Sequence, residues 1–329
     1  MKKIINQPEN VVDEMLNGLV FMHNDLVERI EGFEVIVRKA EKTGKVGIIS
    51  GGGSGHEPSH AGFVGKGMLS AAVCGAVFTS PTPDQILEAI KAADEGAGVF
   101  MVIKNYSGDI MNFEMAQELA EMEGIEVASV VVDDDIAVEN SLYTQGRRGV
   151  AGTILVHKIL GHAAEQGQSL AAIKELADKL VPQIKTIGLA LSGATVPEVG
   201  KPGFVLEEDE FEYGVGIHGE PGYRKEKLQP SATLAAELVE KLAKGFELKE
   251  GEHYGLLING LGATPLMEQY VFANDVAKLL LEKGIEVDYK KIGDYMTSID
   301  MAGLSLTLIK LEEPSWLEAL YAPVQVAGW

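Results

Sequence analysis

Residues 45–60 read KVGIISGGGSGHEPSH, and this stretch indicates the fold class of the chain. Its first six residues form a compact apolar run that predicts a β-strand, and the rest is a glycine-rich loop with two histidines. Because ligands of open α/β sheets bind beyond the carboxyl ends of the strands, we predict that this loop lines a functional site. His56 is then a titratable group within that site. The alternative is a flexible turn whose histidines are incidental.

The glycine-rich loop lacks the two common nucleotide-binding patterns. A dinucleotide fingerprint that began at Gly51 would need a glycine at position 56, where the chain has His56. A Walker A loop would end in Gly-Lys-Ser or Gly-Lys-Thr, and this loop does not. We therefore expect no nucleotide cradle of either kind on this chain.

The composition indicates an ordinary globular protein of two domains. The chain has 329 residues, whereas single cores stop growing near roughly 250–300 residues. Its formal net charge of −21 disfavours nucleic acid and anionic membranes as partners. No apolar run approaches the roughly 18 residues of a membrane span. The single cysteine, Cys74, forms no internal disulfide, is expected to be buried, and favours a cytoplasmic location.

Apolar strands alternate with helices through the first half of the chain. Predicted strands cover residues 45–50, 69–74, 98–104 and 125–132. Strands that are apolar on both faces are typical of a parallel sheet covered by helices. We therefore predict an α/β fold of two α/β domains. Residues 1–183 form a three-layer domain with a parallel sheet, and residues 184–329 form a smaller domain with a mixed sheet.

Three further segments carry structural predictions. Residues 8–31 have apolar positions near one helical face, which predicts a single helix. The acidic run Asp133 to Asp135 and the pair Arg147-Arg148 are expected to be solvated surface groups. A divalent cation at the acidic run and an anion at the arginines are the alternatives.

Chemically useful side chains follow two of the predicted strands. Asp109 comes soon after strand 98–104, and His56 follows strand 45–50. The carboxyl ends of parallel strands share one edge of a sheet, so we expect these two side chains to converge. A carboxylate near a histidine raises its basicity and orients its ring, as a general base requires. The alternative for Asp109 is a helix N-cap.

His218 lies in GVGIHGEPG, residues 214–222, where four glycines leave its imidazole with little cover. A neutral imidazole nitrogen is a nucleophile, and an ordinary histidine is mostly neutral at pH 7. From this segment alone, a structural turn is the favoured interpretation. No metal site is predicted, because His56 and His60 lie in a Gly-Pro loop rather than on one helical face.

Five motifs, in this order and spacing, closely resemble those of the dihydroxyacetone kinase K subunits. They are GGGSGHEPSHAGFVGKGML (51–69), CGAVFTSPTPDQ (74–85), VIKNYSGDIMNFEMA (102–116), RRGVAGT (147–153) and GIHGEPG (216–222). The resemblance covers essentially the whole chain, and several of the motifs are long and uncommon.

The resemblance implies a covalent way of holding the substrate, dihydroxyacetone. A histidine that matches His218 adds to the substrate carbonyl and forms a hemiaminal. The family's general base matches His56, and its supporting acid matches Asp109. The implied substrate-binding residues are Gly53, Ser54, Gly55, His56, Lys104, Asp109 and His218.

The resemblance also implies partners. ATP-dependent relatives carry an additional L-type nucleotide-binding domain, and this chain ends at Trp329 without one. It therefore looks like the stand-alone form, in which a separate L subunit carries ADP and magnesium. A phosphocarrier M subunit, fed by the sugar phosphotransferase system, recharges that nucleotide. No cofactor is then expected on this chain, which is expected to be a homodimer. The alternative is a paralogue that senses dihydroxyacetone and co-activates a transcription regulator without catalysis.

Overall fold

The computed structural model describes residues 2–39 and 42–329, and these ranges form two six-stranded β-sheets with helices packed on them. The first sheet contains β1 (Val27–Arg29), β2 (Val35–Arg38), β3 (Gly47–Ser54), β4 (Ala71–Val77), β5 (Val99–Lys104) and β6 (Val127–Val132). The second contains β7 (Ile184–Ala190), β8 (Glu210–Tyr213), β9 (Arg224–Lys227), β10 (His253–Gly260), β11 (Glu286–Gly293) and β12 (Gly303–Lys310). The α-helices of these ranges are α1 (Val11–Met22), α2 (Pro83–Ala93), α3 (Ser107–Met122), α4 (Thr153–Glu165), α5 (Leu170–Leu180), α6 (Ser231–Phe246), α7 (Leu266–Glu282) and α8 (Pro314–Tyr321).

The first sheet has the order β1-β2-β4-β3-β5-β6. Its strands β4, β3, β5 and β6 pair in parallel, and β1 and β2 extend one edge in antiparallel fashion. Helices α2 and α3 pack on one face, and α4 and α5 pack on the other. Both faces of the parallel strands are therefore buried, as their continuous apolar sequences require. The predicted α/β class with a three-layer first unit is confirmed.

The N-terminal segment differs from the predicted single helix over residues 8–31. Helix α1 ends at Met22, and the chain continues into β1 and β2. Val27, Val35 and Ile36 are buried against the sheet, and a turn at Gly32, whose φ is +81°, joins the two strands. Pairing with β4 thus overrides a helical periodicity that the sequence shows only locally.

The glycine-rich stretch begins inside the sheet rather than after it. Strand β3 continues to Ser54, so Gly51, Gly52 and Gly53 are strand residues. A Cβ atom on Gly51 would lie 2.5 Å from the carbonyl oxygen of Val73 on the neighbouring strand β4. The glycines therefore permit a close approach of β3 and β4 at the edge where the site forms.

The second sheet has the order β11-β10-β12-β7-β8-β9 and is mixed, as predicted. Strands β10 and β11 are parallel, and the other neighbours are antiparallel. Helices α6 and α7 cover one face. From the other face, Leu257 and Ile309 join the apolar cluster that also contains α4 and α8. The division of the chain into domains at residue 183 stays a prediction.

Among the helices of the described residues, none combines the length and the apolar character that crossing a membrane requires. Cys74 is buried in β4, as expected, and burial raises the pKa of its thiol to about 12. The thiol therefore packs in the core and does not serve as a nucleophile.

Candidate active site

A cavity of about 680 Å³ opens where the first sheet meets the second. It lies beyond the carboxyl ends of β3, β4 and β5, at the place where parallel sheets bind ligands. The segment between β8 and β9 closes it from the other side. We call it the His218 cavity, and its lining residues are Gly53, Phe78, Thr79, Ser80, Tyr106, Ser107, Gly108, Asp109, Asn112, Leu142, Tyr143 and His218.

His56 lies against the cavity wall, and both of its ring nitrogens have partners. Its Nδ1 lies 2.7 Å from the carbonyl oxygen of Thr297, and its Nε2 lies 3.1 Å from Nε2 of His218. Phe78 stacks on the ring at a centroid distance of 5.1 Å. Burial, together with the nearby positive charges of His218 and Lys104, lowers the pKa of His56 well below its ordinary value. His56 is therefore neutral, and its Nε2 accepts.

His218 is held by a buried carboxylate. Its Nδ1 lies 3.0 Å from Oε1 of Glu220, and its backbone N–H donates to Oε2 of the same residue at 2.9 Å. Burial alone would raise the pKa of Glu220, but the hydrogen bond from His218 and the charge of Arg148 outweigh burial and lower it. The ring of Tyr106 packs edge-on against His218 at 4.6 Å. These contacts place Nε2 of His218 beside His56.

One proton lies between the two Nε2 atoms. The Thr297 carbonyl only accepts, so Nδ1 of His56 carries a hydrogen, and the Glu220 carboxylate requires the same of Nδ1 of His218. If both rings were neutral, neither Nε2 atom would carry a hydrogen, and two lone pairs would face each other across the 3.1 Å between these atoms. The contact therefore requires one hydrogen between the two Nε2 atoms, and the lowered pKa of His56 makes the Nε2 of that residue the acceptor.

A buried ion pair lies behind Glu220. The Arg148 side chain is 0% exposed, and its Nε donates to Asp135 at 2.8 Å. Its Nη2 donates to the carbonyl oxygen of Gly214 at 2.7 Å, where the segment that carries His218 begins. Arg148 therefore anchors this segment and adds a positive charge near Glu220.

The expectation that the acidic run and the arginine pair are solvated is wrong for three of these residues. The structure buries Asp134, Asp135 and Arg148, and it exposes Asp133 and Arg147. The carboxylate of Asp134 accepts from the backbone N–H groups of Val150 and Gly152, each at 2.8 Å. Burial nevertheless raises the pKa of Asp134 to about 6. The strand-end carboxylates are thus satisfied by the chain that returns toward α4, which a local pattern does not reveal.

Asp109 lies in the first turn of α3 and lines the His218 cavity. One carboxylate oxygen accepts from the hydroxyl of Ser80, and the other lies 3.6 Å from Nζ of Lys104. The N-cap of α3 is Tyr106, so that alternative for Asp109 is excluded. The orientation of His56 is set by Thr297 rather than by Asp109.

Of the remaining residues that the resemblance implies, Gly53 lines the cavity, and Ser54, Gly55 and Lys104 are not part of its lining. Ser54 donates its hydroxyl to the carbonyl oxygen of Gly75 at 2.7 Å, and the Gly55 carbonyl accepts from Ile299 at 2.8 Å. Lys104 is 1% exposed. Gly53 lines the cavity with Asp109 and His218. The roles of all these residues toward a substrate stay predictions.

The partners that orient the two histidines were not predicted from the sequence. Glu220 had a local signal, because it is the carboxylate two residues after His218 in GIHGEPG. Thr297 had none, since it lies 241 residues from His56 in sequence and contributes a backbone carbonyl.

A second group of ligand-type atoms lies on the outer edge of the second sheet. The parallel register places His253 opposite Glu286, and Asp288 follows on the same strand. One atom of each residue lies within 4.8 Å of the others, and Nδ1 of His253 is 2.8 Å from Asp288. His253 and Glu286 are exposed and Asp288 is half-buried, and a histidine–carboxylate pair accounts for the contact without an ion.

Comparison with known families decides the relationship of this chain. The model of the Dak1 domain matches residues 17–328, which include both sheets and every residue of the His218 cavity. The chain belongs to the Dak1 domain family. This match, together with relatives that are named as dihydroxyacetone-binding kinase subunits, confirms the resemblance to dihydroxyacetone kinase K subunits.

Relatives of the Dak1 chain include two proteins of Lactococcus lactis subsp. lactis. The PTS-dependent dihydroxyacetone kinase, dihydroxyacetone-binding subunit DhaK, is 69% identical over 328 residues, which cover 100% of this chain and 99% of that protein. The DhaKLM operon coactivator DhaQ is 46% identical over 330 residues, which cover 99% of this chain and 100% of that protein. Among solved structures, the dihydroxyacetone kinase of C. freundii superposes with a TM-score of 0.92 at 37% identity. That match covers 100% of this chain and 60% of the other.

Proposed function

We propose that this Dak1 chain is the dihydroxyacetone-binding subunit of a phosphotransferase-system-dependent dihydroxyacetone kinase. The observation that carries the proposal is the imidazole of His218 at the cavity wall, with Nδ1 on the carboxylate of Glu220 and Nε2 beside His56. The identity of 69% with a DhaK subunit over the whole chain supports it. Such a nitrogen adds to a carbonyl carbon, so the substrate class is a short carbonyl compound such as dihydroxyacetone rather than a polyol such as glycerol.

Capture of the ketone begins when the proton between the two Nε2 atoms moves from His218 to His56. The freed lone pair of His218 forms a bond to the carbonyl carbon, and the π electrons move to the carbonyl oxygen. His56 then gives its proton to that oxygen, which completes the hemiaminal hydroxyl. The His218 ring keeps its Nδ1 hydrogen and its positive charge, which the Glu220 carboxylate balances.

Capture leaves Nε2 of His56 without a proton, so the same residue then serves as the base for phosphoryl transfer. It accepts the proton of the terminal hydroxyl while that oxygen bonds to phosphorus and the bond from phosphorus to the donor breaks. Asp109 lines the same cavity and acts as the supporting acid. The covalent link holds a small substrate in one orientation, and positioning is a large part of such catalysis.

The phosphoryl donor in this proposal is a nucleotide on a separate L subunit, which carries ADP and magnesium and is recharged by an M subunit. The relatives' names support the phosphotransferase-system context. A homodimer and a cytoplasmic location complete the proposal.

A second candidate is a co-activator that binds dihydroxyacetone without transferring phosphate. The identity of 46% with the coactivator DhaQ favours it as an alternative, and the higher identity with DhaK favours the kinase subunit. A sensor needs His218 to hold its ligand, but it does not need a general base.

The proposed function is tested by trapping the adduct on the wild-type protein and on His218→Ala. Both proteins receive dihydroxyacetone, the adduct is stabilised by reduction or by rapid denaturation, and intact-mass and peptide spectra locate it. The same preparations are assayed for phosphoryl transfer from a charged L subunit. We expect an adduct at His218 with turnover in the wild type and no adduct in the variant. An adduct without turnover would favour the co-activator, and no adduct would refute covalent capture.

Glu220→Gln should slow capture without removing it. Glutamine still accepts the hydrogen bond from Nδ1 of His218, but it lacks the charge that balances the ring during attack. Hydrogen bonds to charged groups contribute about 1.5–3 kcal/mol, so the rate of adduct formation should fall about tenfold to a hundredfold. Quenching the reaction at set times, followed by intact-mass spectrometry, measures this rate. Glu226→Gln, a control at a half-buried position on β9 outside the lining of the His218 cavity, should leave it unchanged.

A further inference from the structure

A line of buried polar side chains runs from the His218 cavity into the first unit. Nζ of Lys104 lies 3.6 Å from Asp109 and 2.9 Å from Nε2 of His60. Nδ1 of His60 in turn lies 2.9 Å from Nε2 of His157, in the middle of α4. All four residues are at most 4% exposed. Neither histidine takes part in the proposed capture or transfer steps.

The hydrogen bonds of this line run in one direction. An ammonium group only donates, so Nε2 of His60 accepts from Lys104. In a neutral ring the hydrogen is then on Nδ1, which donates to Nε2 of His157. Burial first, and then the charge of Lys104, lowers the pKa of both histidines, that of His157 to about 3. Both rings are neutral, and both are the Nδ1–H tautomer.

Three contacts fix the position of the Lys104 ammonium. It donates to the carbonyl oxygen of Gly51 at 3.0 Å and to His60 at 2.9 Å, and Asp109 lies further away. Gly52 leaves space for the ammonium group, because a Cβ atom at this position would lie only 2.5 Å from Nζ of Lys104. The φ of Gly52, +151°, also suits glycine. The cation therefore lies directly under Gly51 and Gly52, next to Gly53, which lines the cavity.

We propose that His60, oriented by His157, is a positioning residue that draws Lys104 away from direct contact with Asp109. Without this acceptor the ammonium would move from its ion-pair distance of 3.6 Å into a direct hydrogen bond with Asp109, which would occupy a carboxylate oxygen of a residue that lines the cavity. The role is indirect, since His60 contacts Lys104 and does not line the cavity. This inference rests on the proposed function for its effect on turnover, and on geometry alone for the hydrogen-bond line.

The hydrogen-bond line is tested on the wild-type protein without any assay of activity. Long-range ¹H–¹⁵N correlation spectra of the histidine rings distinguish the two neutral tautomers. We expect His60 and His157 to be neutral Nδ1–H tautomers near pH 7. An Nε2–H tautomer at His60 would overturn the inference, because that nitrogen would no longer accept from Lys104. A failure of the proposed function would leave this spectrum unchanged.

Two amide variants then separate the contacts of His60. The amide of His60→Gln reaches the place of Nε2 and keeps an acceptor for Lys104, whereas that of His60→Asn reaches only the place of Nδ1. We expect His60→Asn to lower kcat for transfer about tenfold to a hundredfold, because a displacement of a positioning group by about 1 Å can have an effect of this size. The fraction of adduct at His218 should be unchanged, and His60→Gln should keep most of the activity. Wild-type kcat in a folded His60→Asn protein, or equal losses in both variants, would overturn the proposal.

His162→Leu is the matched control for these variants. His162 lies on α4 five residues after His157, is only half-buried, and is not part of the line. It should retain the wild-type kcat and the wild-type ring spectrum of His60. If His60→Asn does not fold, the comparison between His60→Gln and His157→Leu replaces it. Removing the acceptor on His157 should then lower kcat more than His60→Gln does, and the opposite order would contradict the proposal.

Discussion

Replacing His56 with asparagine should abolish most phosphoryl transfer while dihydroxyacetone still accumulates as an adduct on His218. The amide of asparagine reaches the place of Nδ1, so it keeps the hydrogen bond to the Thr297 carbonyl. It has nothing at the place of Nε2, where the proposed base accepts the proton of the substrate hydroxyl. A general base contributes about 10²–10⁴-fold to a rate, so kcat should fall by that factor.

The His56→Asn substitution should slow adduct formation, but it should not change the final amount of adduct. In the proposed capture step His56 only passes a proton from His218 to the carbonyl oxygen, and it is not bonded to the product. Trapping after seconds and after an hour therefore separates the two effects. Near-normal transfer in a folded His56→Asn protein would show that another group is the base. A complete lack of adduct at long times would show that His56 has a structural role at His218.

The parallel part of the first sheet was predictable because its strands are apolar on both faces over six to eight residues. Strands β1 and β2 were not predicted, since they are short and Glu28 and Arg29 interrupt the apolar pattern. Strands β8 and β9 were also not predicted, because their sequences EFEY and RKEK are mostly charged or aromatic. These edge strands depend on pairing with distant neighbours, which no local pattern records.

The residues of the site likewise fall into a group that could be predicted from the sequence and a group that could not. His56 and Asp109 follow predicted strands, so the topology of a parallel sheet was enough to bring them to one edge. His218 comes from the second sheet, and only the resemblance connected it with the others. The sequence suggested that a carboxylate would orient a histidine, and the structure assigns this pairing to Glu220 and His218. Arg148 was predicted to be a solvated surface group, since its partners Asp135 and Gly214 come together with it only in the folded chain.

Replacing Arg148 with methionine should both destabilise the fold and weaken capture. The change leaves the carboxylate of Asp135 buried without its cation, and breaking a buried ion pair costs about 3–5 kcal/mol. It also removes the donor that holds the carbonyl of Gly214, and a charge that helps keep the pKa of Glu220 low. Urea unfolding measures the first effect, and the rate of adduct formation on folded protein measures the second.

The double variant Arg148→Met, Asp135→Leu separates these two effects. Apolar residues of similar volume can replace a buried ion pair at little cost in stability, so the double variant should recover most of the free energy of unfolding. It should not recover the rate of capture, because Glu220 still lacks its neighbouring cation. If the rate recovered together with stability, Arg148 would act only by holding the fold. If neither single nor double variant changed the rate, the charge of Arg148 would have no part in preparing His218.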